Sequence, residues 1–474
     1  MKIEKKYNYP TAIVIFGGTG NLAQTKLLPA LFNLFIQDML PSTFEIIGLA
    51  RKLMSHEEYQ TFVKENIRKV KGELPSEDDL SRFCLHIRFV TGDSNEDDAY
   101  EDVKDALNAF DARIGQCTSK LFYLAVSPTL YSTIFEKLKT SSALTPCAGI
   151  RESWARLLVE KPFGSDLTTA QGLEDQLCEL YSEDQIYRID HYLAKESIEN
   201  IMSLRFANSI LTDSWNGSKI ESISLKLFEK QDVSTRGSFY DGIGALRDVG
   251  QNHMLQMLAL LTMQPADLHS AADIRASRLA ALKSLVMHDT DLRVRGQYHG
   301  YRETEGVDPQ SETETYFKIE THVDSELWKD VRMTLESGKA LNDSFAETTI
   351  TFRPTNTCRC AAEPHLHTHR NVLHITFSPG QCIRLTMWVK EPGFEFKLHK
   401  RELELAKQEG EVFRSPEAYE RVLYDCIIGD QTRFVSGEET VAAWNFITPL
   451  LESFRALPLH EYEKGSTDPI PDVT

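Results

Sequence analysis

The chain has 474 residues, 41% hydrophobic and 26% charged, with a formal net charge of −18. That length exceeds what one hydrophobic core usually supports, so two domains, or three, are expected. The acidic excess, with no basic stripe to offset it, excludes nucleic acid as a general partner. An anionic ligand would need a local cationic cluster. No run reaches the roughly 18 apolar residues of a membrane span, and "MKIEKKYNYP" lacks the apolar core of a signal peptide. The eight cysteines are scattered, which fits reduced thiols better than a disulfide framework. A soluble, cytoplasmic protein is expected.

In chain order, "TAIVIF" (11–16) is a continuous, β-branched apolar run, as a strand buried on both faces requires. A glycine-rich turn follows, then a helical pattern from about Lys26 to Leu40. The runs "FEIIGLA" (44–50), "LHIRFVTGD" (85–93), "SKLFYLAVSP" (119–128) and "RLLVEKP" (156–162) read as further strands, with helical patterns between them. This alternation predicts a parallel sheet with helices on both faces. Beyond about residue 190 a helical stretch (193–207) precedes "SKIESISLKLFE" (218–229), "ETYFKIETHV", "AETTITFRP", "NVLHITFSP" and "QCIRLTMWVK". Their period-two patterning predicts a large antiparallel sheet. No flexible linker separates the halves, so domains at 1–190 and 191–474 should pack tightly.

Gly17, Gly18, Thr19, Gly20, Asn21 and Leu22 lie between the first strand and the first helix. Glycines let the backbone approach a pyrophosphate, and the helix start offers free N–H groups to it. The second strand ends in Arg51-Lys52 with no adjoining carboxylate. A cation there can pair with a 2′-phosphate, so NADP is favoured over NAD.

The ordered stretches "FGGTGNLAQTKLLPALFNL", "LFYLAVSPTLY", "VEKPFG", "RIDHYLAKE", "LRFAN", "RDVGQNHMLQML", "RGQY", "SGKALN" and "PEAYERVLYD" together resemble the glucose-6-phosphate dehydrogenase family. The resemblance runs from about residue 12 to about residue 450. It implies a Rossmann-type coenzyme domain, then an α+β domain for substrate and oligomerisation, in a homodimer or homotetramer. It also implies oxidation of β-D-glucose 6-phosphate to 6-phosphoglucono-1,5-lactone with NADP, the first step of the oxidative pentose phosphate pathway. Two alternatives are a dehydrogenase of another phosphorylated or amino sugar, and a catalytically silent nucleotide-binding paralogue.

Removing a hydride from C1 requires a base that takes the C1 hydroxyl proton. His253 precedes a largely apolar helix, so its ring should sit at the edge of a buried region, where burial keeps imidazole neutral. The resemblance makes His253 the catalytic base and Asp190 its orienting carboxylate. His191 and Lys195, four apart, would share one helix face with Tyr192 between them, and these three match the family's phosphate-holding residues. Lys161, before Pro162, matches a lysine that reaches both substrate and nicotinamide. Glu229, Asp248 and Lys339 match residues that bind sugar hydroxyls, a task suited to groups that hydrogen-bond strongly.

Departures from the family are visible as well. Asn21 replaces a common aspartate, and Ala194 replaces a glycine beside the phosphate anchor. Glu336, Ser344, Thr376 and Ser378 stand where arginines or glutamine are frequent, so a second, structural NADP site is not expected and the preferred hexose phosphate is left open. Cys358, Cys360, His365, His367 and His369 fit no common zinc module and read as a polar loop without metal.

Overall fold

The computed structural model describes residues 7–70, 75–143, 153–355, 369–406 and 415–470. Six strands, β1 (Thr11–Phe16), β2 (Phe44–Ala50), β3 (Ile87–Thr91), β4 (Ser119–Leu124), β5 (Ala155–Val159) and β6 (Ile186–Ile189), form a parallel sheet in the order 3-2-1-4-5-6. The period-two pleat explains why these strands carry apolar residues at successive positions. Ile13 and Ile15 enter one buried layer, while Ala12, Val14 and Phe16 enter the other. Strand order reverses between β1 and β4, which opens a crevice at their carboxyl ends where ligands bind in such sheets.

The second sheet comprises β7 (Ile220–Phe228), β8 (Leu285–Val286), β9 (Arg293–Tyr298), β10 (Tyr316–Val323), β11 (Arg332–Gly338), β12 (Phe345–Phe352), β13 (Val372–Ser378), β14 (Cys382–Lys390) and β15 (Leu398–Ala406). It is mostly antiparallel, as expected, but β7 pairs parallel with β11. Two short strands come from the chain end. β16 (Phe434–Val435) adds antiparallel to β6, and β17 (Leu459–Tyr462) adds parallel to β9. The helix Ala418–Ile428 buries Val422, Leu423, Cys426 and Ile427 in the same core as Ile13 and Ile15. The carboxyl-terminal part of the chain therefore returns to the first sheet.

Three sequence expectations are corrected. The first helix begins at Asn21, widens into a π turn over Ala23–Leu27 and ends at Ile36, because Asp38 takes a positive φ of 57°. The helix expected from 193 begins instead at Glu196. Residues 191–194 form turns, since the Asp190 carboxylate accepts the Tyr192 N–H at 2.9 Å and redirects the backbone. Cys117 is disulfide-bonded, whereas Cys84, Cys178, Cys382 and Cys426 are free. No helix among the described residues is long and apolar enough to cross a membrane.

Candidate active site

Asp190 follows directly on β6, and His253 sits in a helical segment of π register, Leu246–Met254. Such wide turns recur at functional sites. They bring the His253 Nδ1–H to 2.6 Å from Asp190 Oδ1, with each side chain only 3% exposed. Burial pushes the Asp190 carboxyl upward, but the facing His253 and its hydrogen bonds outweigh that and hold it well below the usual carboxylate range. Burial is also the main reason His253 stays below the ordinary imidazole value, with Asp190 opposing and Lys161 assisting. A neutral ring donating from Nδ1 to a carboxylate has its lone pair on Nε2, the state a proton acceptor needs.

The phosphate-holding candidates cluster against this pair. His191 packs edge-on to His253 with ring centroids 4.6 Å apart, and Tyr192 stacks on it at 4.4 Å. Lys195 caps the amino terminus of helix Glu196–Phe206, and its Nζ lies 3.5 Å from the centre of the Tyr192 ring. Burial, then the neighbouring His253, hold His191 well below its ordinary pKa, leaving it neutral. Lys195 is lowered to about 8, chiefly by burial. Of these three residues, Lys195 is the one that offers a phosphate positive charge. His191 and Lys195 both line a cleft of about 570 Å³ that also touches Asn21, Leu22 and Lys26. Ala194 does not crowd that cleft, because its methyl is buried in the first domain's core.

On the other side of His253, charges alternate. Lys161 follows β5 at a cis peptide to Pro162, and its Nζ donates to the Asp248 carbonyl at 2.8 Å and lies 3.4 Å from Oδ1. Lys339 binds Glu229 closely and lies 3.3 Å from Asp248 Oδ2. Burial works to raise Asp248, but Lys161 and Lys339 prevail and bring it to about 2. Burial likewise disfavours the Lys339 cation, yet Glu229 and Asp248 raise its pKa. The expected sugar-binding set is therefore contiguous and joined to Lys161.

The glycine-rich turn closes tightly at the end of β1. Gly17 and Gly18 both donate to the Leu49 carbonyl at 2.9 Å, and Gly20 donates to Gly17 at 2.8 Å. Gly17 has φ +80°, and a Cβ there would sit 2.4 Å from the Ala125 carbonyl oxygen, so only glycine fits. Thr19 takes part through its carbonyl, which accepts from Gln24 Nε2 at 2.7 Å. Arg51 projects into solvent with its side chain 82% exposed, accessible to an anion. A carboxylate stands nearer than the sequence implied: Asp93, beyond β3, lies 3.9 Å from the Arg51 guanidinium.

Three neighbours were missed. Tyr419, from helix Ala418–Ile428, lines the cleft and lies parallel to His191 at 6.4 Å. Lys26 lines it from the π turn. Glu160 accepts from the Tyr123 hydroxyl at 2.5 Å, and burial raises its pKa. Tyr419 and Glu160 lie inside "PEAYERVLYD" and "VEKPFG", so the motifs pointed at the right segments but not at these side chains. Arg188, in "RIDHYLAKE", faces away. Its fully buried guanidinium binds Glu174 at 2.8 Å and Glu183 at 2.9 Å, a structural ion cluster. Ser344 accepts the Lys230 N–H at 2.8 Å, and Glu336 accepts from the Tyr316 hydroxyl at 2.9 Å. Of the cysteine- and histidine-rich loop, Cys358, Cys360, His365 and His367 lie outside the described residues, and the His369 ring packs 4.1 Å from Trp388.

A dinucleotide-type sheet whose crevice adjoins a buried His–Asp pair defines a two-domain oxidoreductase. Family models give the same result. The NAD binding domain of glucose-6-phosphate dehydrogenase matches residues 14–200, and its C-terminal domain matches 202–472. The chain belongs to the glucose-6-phosphate dehydrogenase family. It is 34% identical to a glucose-6-phosphate 1-dehydrogenase of Chlamydia muridarum, over 97% of this chain and 94% of that protein. It is 35% identical to a cytoplasmic Arabidopsis thaliana glucose-6-phosphate 1-dehydrogenase, over 97% and 87%. A solved glucose-6-phosphate dehydrogenase in complex with its substrate superposes with a TM-score of 0.90 at 32% identity, covering 99% of this chain and 97% of the other. The enzyme from Mycobacterium avium gives 0.84 at 30% identity, covering 97% and 95%.

Proposed function

We propose that this protein oxidises β-D-glucose 6-phosphate to 6-phosphoglucono-1,5-lactone with NADP, in the cytoplasm. The observation that carries the reading is the 2.6 Å contact between His253 and Asp190 beside Lys195. Lys195, with His191 and Tyr192, holds the phosphate. Glu229, Asp248 and Lys339 hold the hydroxyls. These contacts fix C1 against His253, so binding energy from the remote phosphate is used to orient the reacting carbon. The C1–OH bond to hydrogen breaks as His253 Nε2 takes the proton, C1=O forms, and the C1–H electron pair leaves with its hydrogen. NADP, when bound, supplies the acceptor for that hydride. Asp190 stabilises the resulting imidazolium, and Lys161 stabilises negative charge developing on the C1 oxygen.

Residues 17–22 and Arg51 are assigned to the coenzyme. The glycine cradle, which a Cβ would fill, fits a pyrophosphate, and exposed Arg51 fits a 2′-phosphate. We divide the chain at 190/191, with the segment from Ala418 to Val435 shared by the coenzyme side. Self-association is assigned to the second sheet, where Met387, Val389, Leu403 and Leu405 stand exposed on β14 and β15.

The direct test mixes purified protein with a panel of sugar phosphates and NADP or NAD, and follows reduced-nicotinamide absorbance. Glucose 6-phosphate with NADP should give the highest kcat/KM. Arg51→Ala should raise KM for NADP by at least about tenfold, in keeping with the loss of a charged hydrogen bond, with NAD little changed. Equal losses would remove Arg51 from the 2′-phosphate.

Lys195 gives a pH prediction. Its pKa is lowered to about 8, so the cation is complete below that pH and lost above it. KM for glucose 6-phosphate should therefore climb as pH passes about 8. In Lys195→Gln, KM should be high throughout and lack that climb. A wild-type profile in the variant would exclude Lys195 as the anchor.

A further inference from the structure

A second group of ligand-type side chains lies far from the cleft. His288 and Asp291 sit in the turn between β8 and β9, and His322 lies near the end of β10. One ligand atom from each falls within 4.8 Å of the others. Burial alternates along β10, so Glu320 and His322 share its less buried face, and Glu320 Oε1 is 4.0 Å from His322 Nε2. The chain entering β10 passes Lys339 at Thr315, whose carbonyl accepts the Lys339 N–H at 2.9 Å. Seven residues of extended chain then separate Thr315 from His322, about 20 Å at the rise of a strand.

Both ring nitrogens of His322 face acceptors. Its Nδ1 lies 3.2 Å from the Val331 carbonyl oxygen, and its Nε2 lies 3.2 Å from Asp291 Oδ1. Both partners only accept. A neutral imidazole has one N–H, so if it donates to Val331, the Nε2 lone pair confronts a carboxylate oxygen. A second ring proton or a metal cation between them resolves the conflict, and the metal is favoured by His288 converging on the same point and by the backbone-anchored Nδ1–H, the usual way a metal-binding imidazole is oriented. The spacing fits as well. Two ligands about 2.0–2.1 Å from a tetrahedral zinc stand about 3.3 Å apart. The turn is preset, since Asp291 Oδ2 accepts the His288 N–H at 2.6 Å and leaves Oδ1 directed at His322. The nearby cation, Arg293, is engaged elsewhere. It donates to the His288 carbonyl at 2.7 Å and lies 2.8 Å from Met287 Sδ.

We propose that His288, Asp291 and His322 form a binding site for a divalent transition metal of the zinc type, with Glu320 or water as fourth ligand. Two imidazoles and a carboxylate select such ions over magnesium or calcium. The site is independent of the catalytic reading, because its ligands are remote from His253.

The test uses the full-length chain stripped with EDTA and then dialysed against Co²⁺ or Zn²⁺, with bound equivalents counted and the visible Co²⁺ spectrum recorded. Wild type should hold one equivalent that His322→Gln and His288→Ala each weaken by roughly ten- to a hundredfold or more. His288 is exposed, so His288→Ala tests the ligand without a burden on folding. Dehydrogenase activity of both variants in EDTA should equal that of wild type, which reports an intact fold. His253→Asn and the double change Cys358→Ser, Cys360→Ser should retain the equivalent. Identical binding by wild type and His322→Gln would overturn the proposal. So would loss of the equivalent in His253→Asn or in the cysteine variant, which would assign the metal to the catalytic pair or to the loop.

Discussion

His253→Asn is expected to lower kcat by about 10²–10⁴-fold, the usual worth of a positioned general base. Asparagine keeps an N–H donor for the Asp190 carboxylate, which is 3% exposed and otherwise left as a buried unpaired charge. That choice matters, because stranding one partner of a buried pair typically costs about 3–5 kcal/mol and would confuse lost catalysis with lost folding. What asparagine lacks is a basic lone pair in place of Nε2. The phosphate and hydroxyl contacts of the sugar are untouched, so its Kd should stay within about threefold of wild type, less than 1 kcal/mol. Equilibrium binding with single-turnover hydride transfer separates the two effects. A variant that turned over near the wild-type rate would remove His253 from the base role.

Asp190→Asn should cost nearly as much, up to about 10⁴-fold in kcat, through a different cause. The Tyr192 N–H and the His253 ring both meet Asp190 Oδ1, so an amide oxygen in that place keeps the acceptor for both and the turn after β6 should hold. What the amide lacks is the negative charge that raises the basicity of the His253 ring. That charge also stabilises the imidazolium. Raising the pH restores activity to an enzyme whose base has become more basic and stays protonated, but a ring made less basic is already unprotonated and gains nothing. The expected pH–rate profile is therefore depressed across the whole range. A profile that is only displaced, with full activity regained at high pH, would contradict the orienting role.

The parallel sheet was legible because strands buried on both faces carry apolar residues at successive positions, as residues 12–16, 46–50 and 121–124 do. The glycine cradle was legible because a turn this close to Ala125 admits no side chain. The pairing of His253 with Asp190 was reached through family motifs rather than spacing, since two residues 63 apart in sequence carry no local signal of contact. The turn at 191–194 was misread for a physical reason. The separation of His191 and Lys195 suits a helix face, but the Asp190 side chain captures a backbone N–H and prevents a helix from starting there. The π register at Leu246–Met254 and the bond from Lys161 to the Asp248 carbonyl depend on tertiary packing, which periodicity does not encode. β15 was overlooked because "LHKRELELA" has charged residues on both faces and gains its place by pairing with β14. β16 is two residues long, too short for any pattern.

That shortest strand has a consequence for how the molecule holds together. β6, which delivers Asp190, would otherwise be the rim of its sheet, with unpaired peptide groups open to a foreign strand. Phe434 and Val435 close that rim, and they arrive only after the chain has completed β7 to β15. Synthesis of the first half alone thus leaves the future proton-relay strand unsealed, and the last tenth of the polypeptide acts as a clasp. The halves become interdependent: loosening the clasp would disturb the redox centre before it disturbed the bulk of either layer.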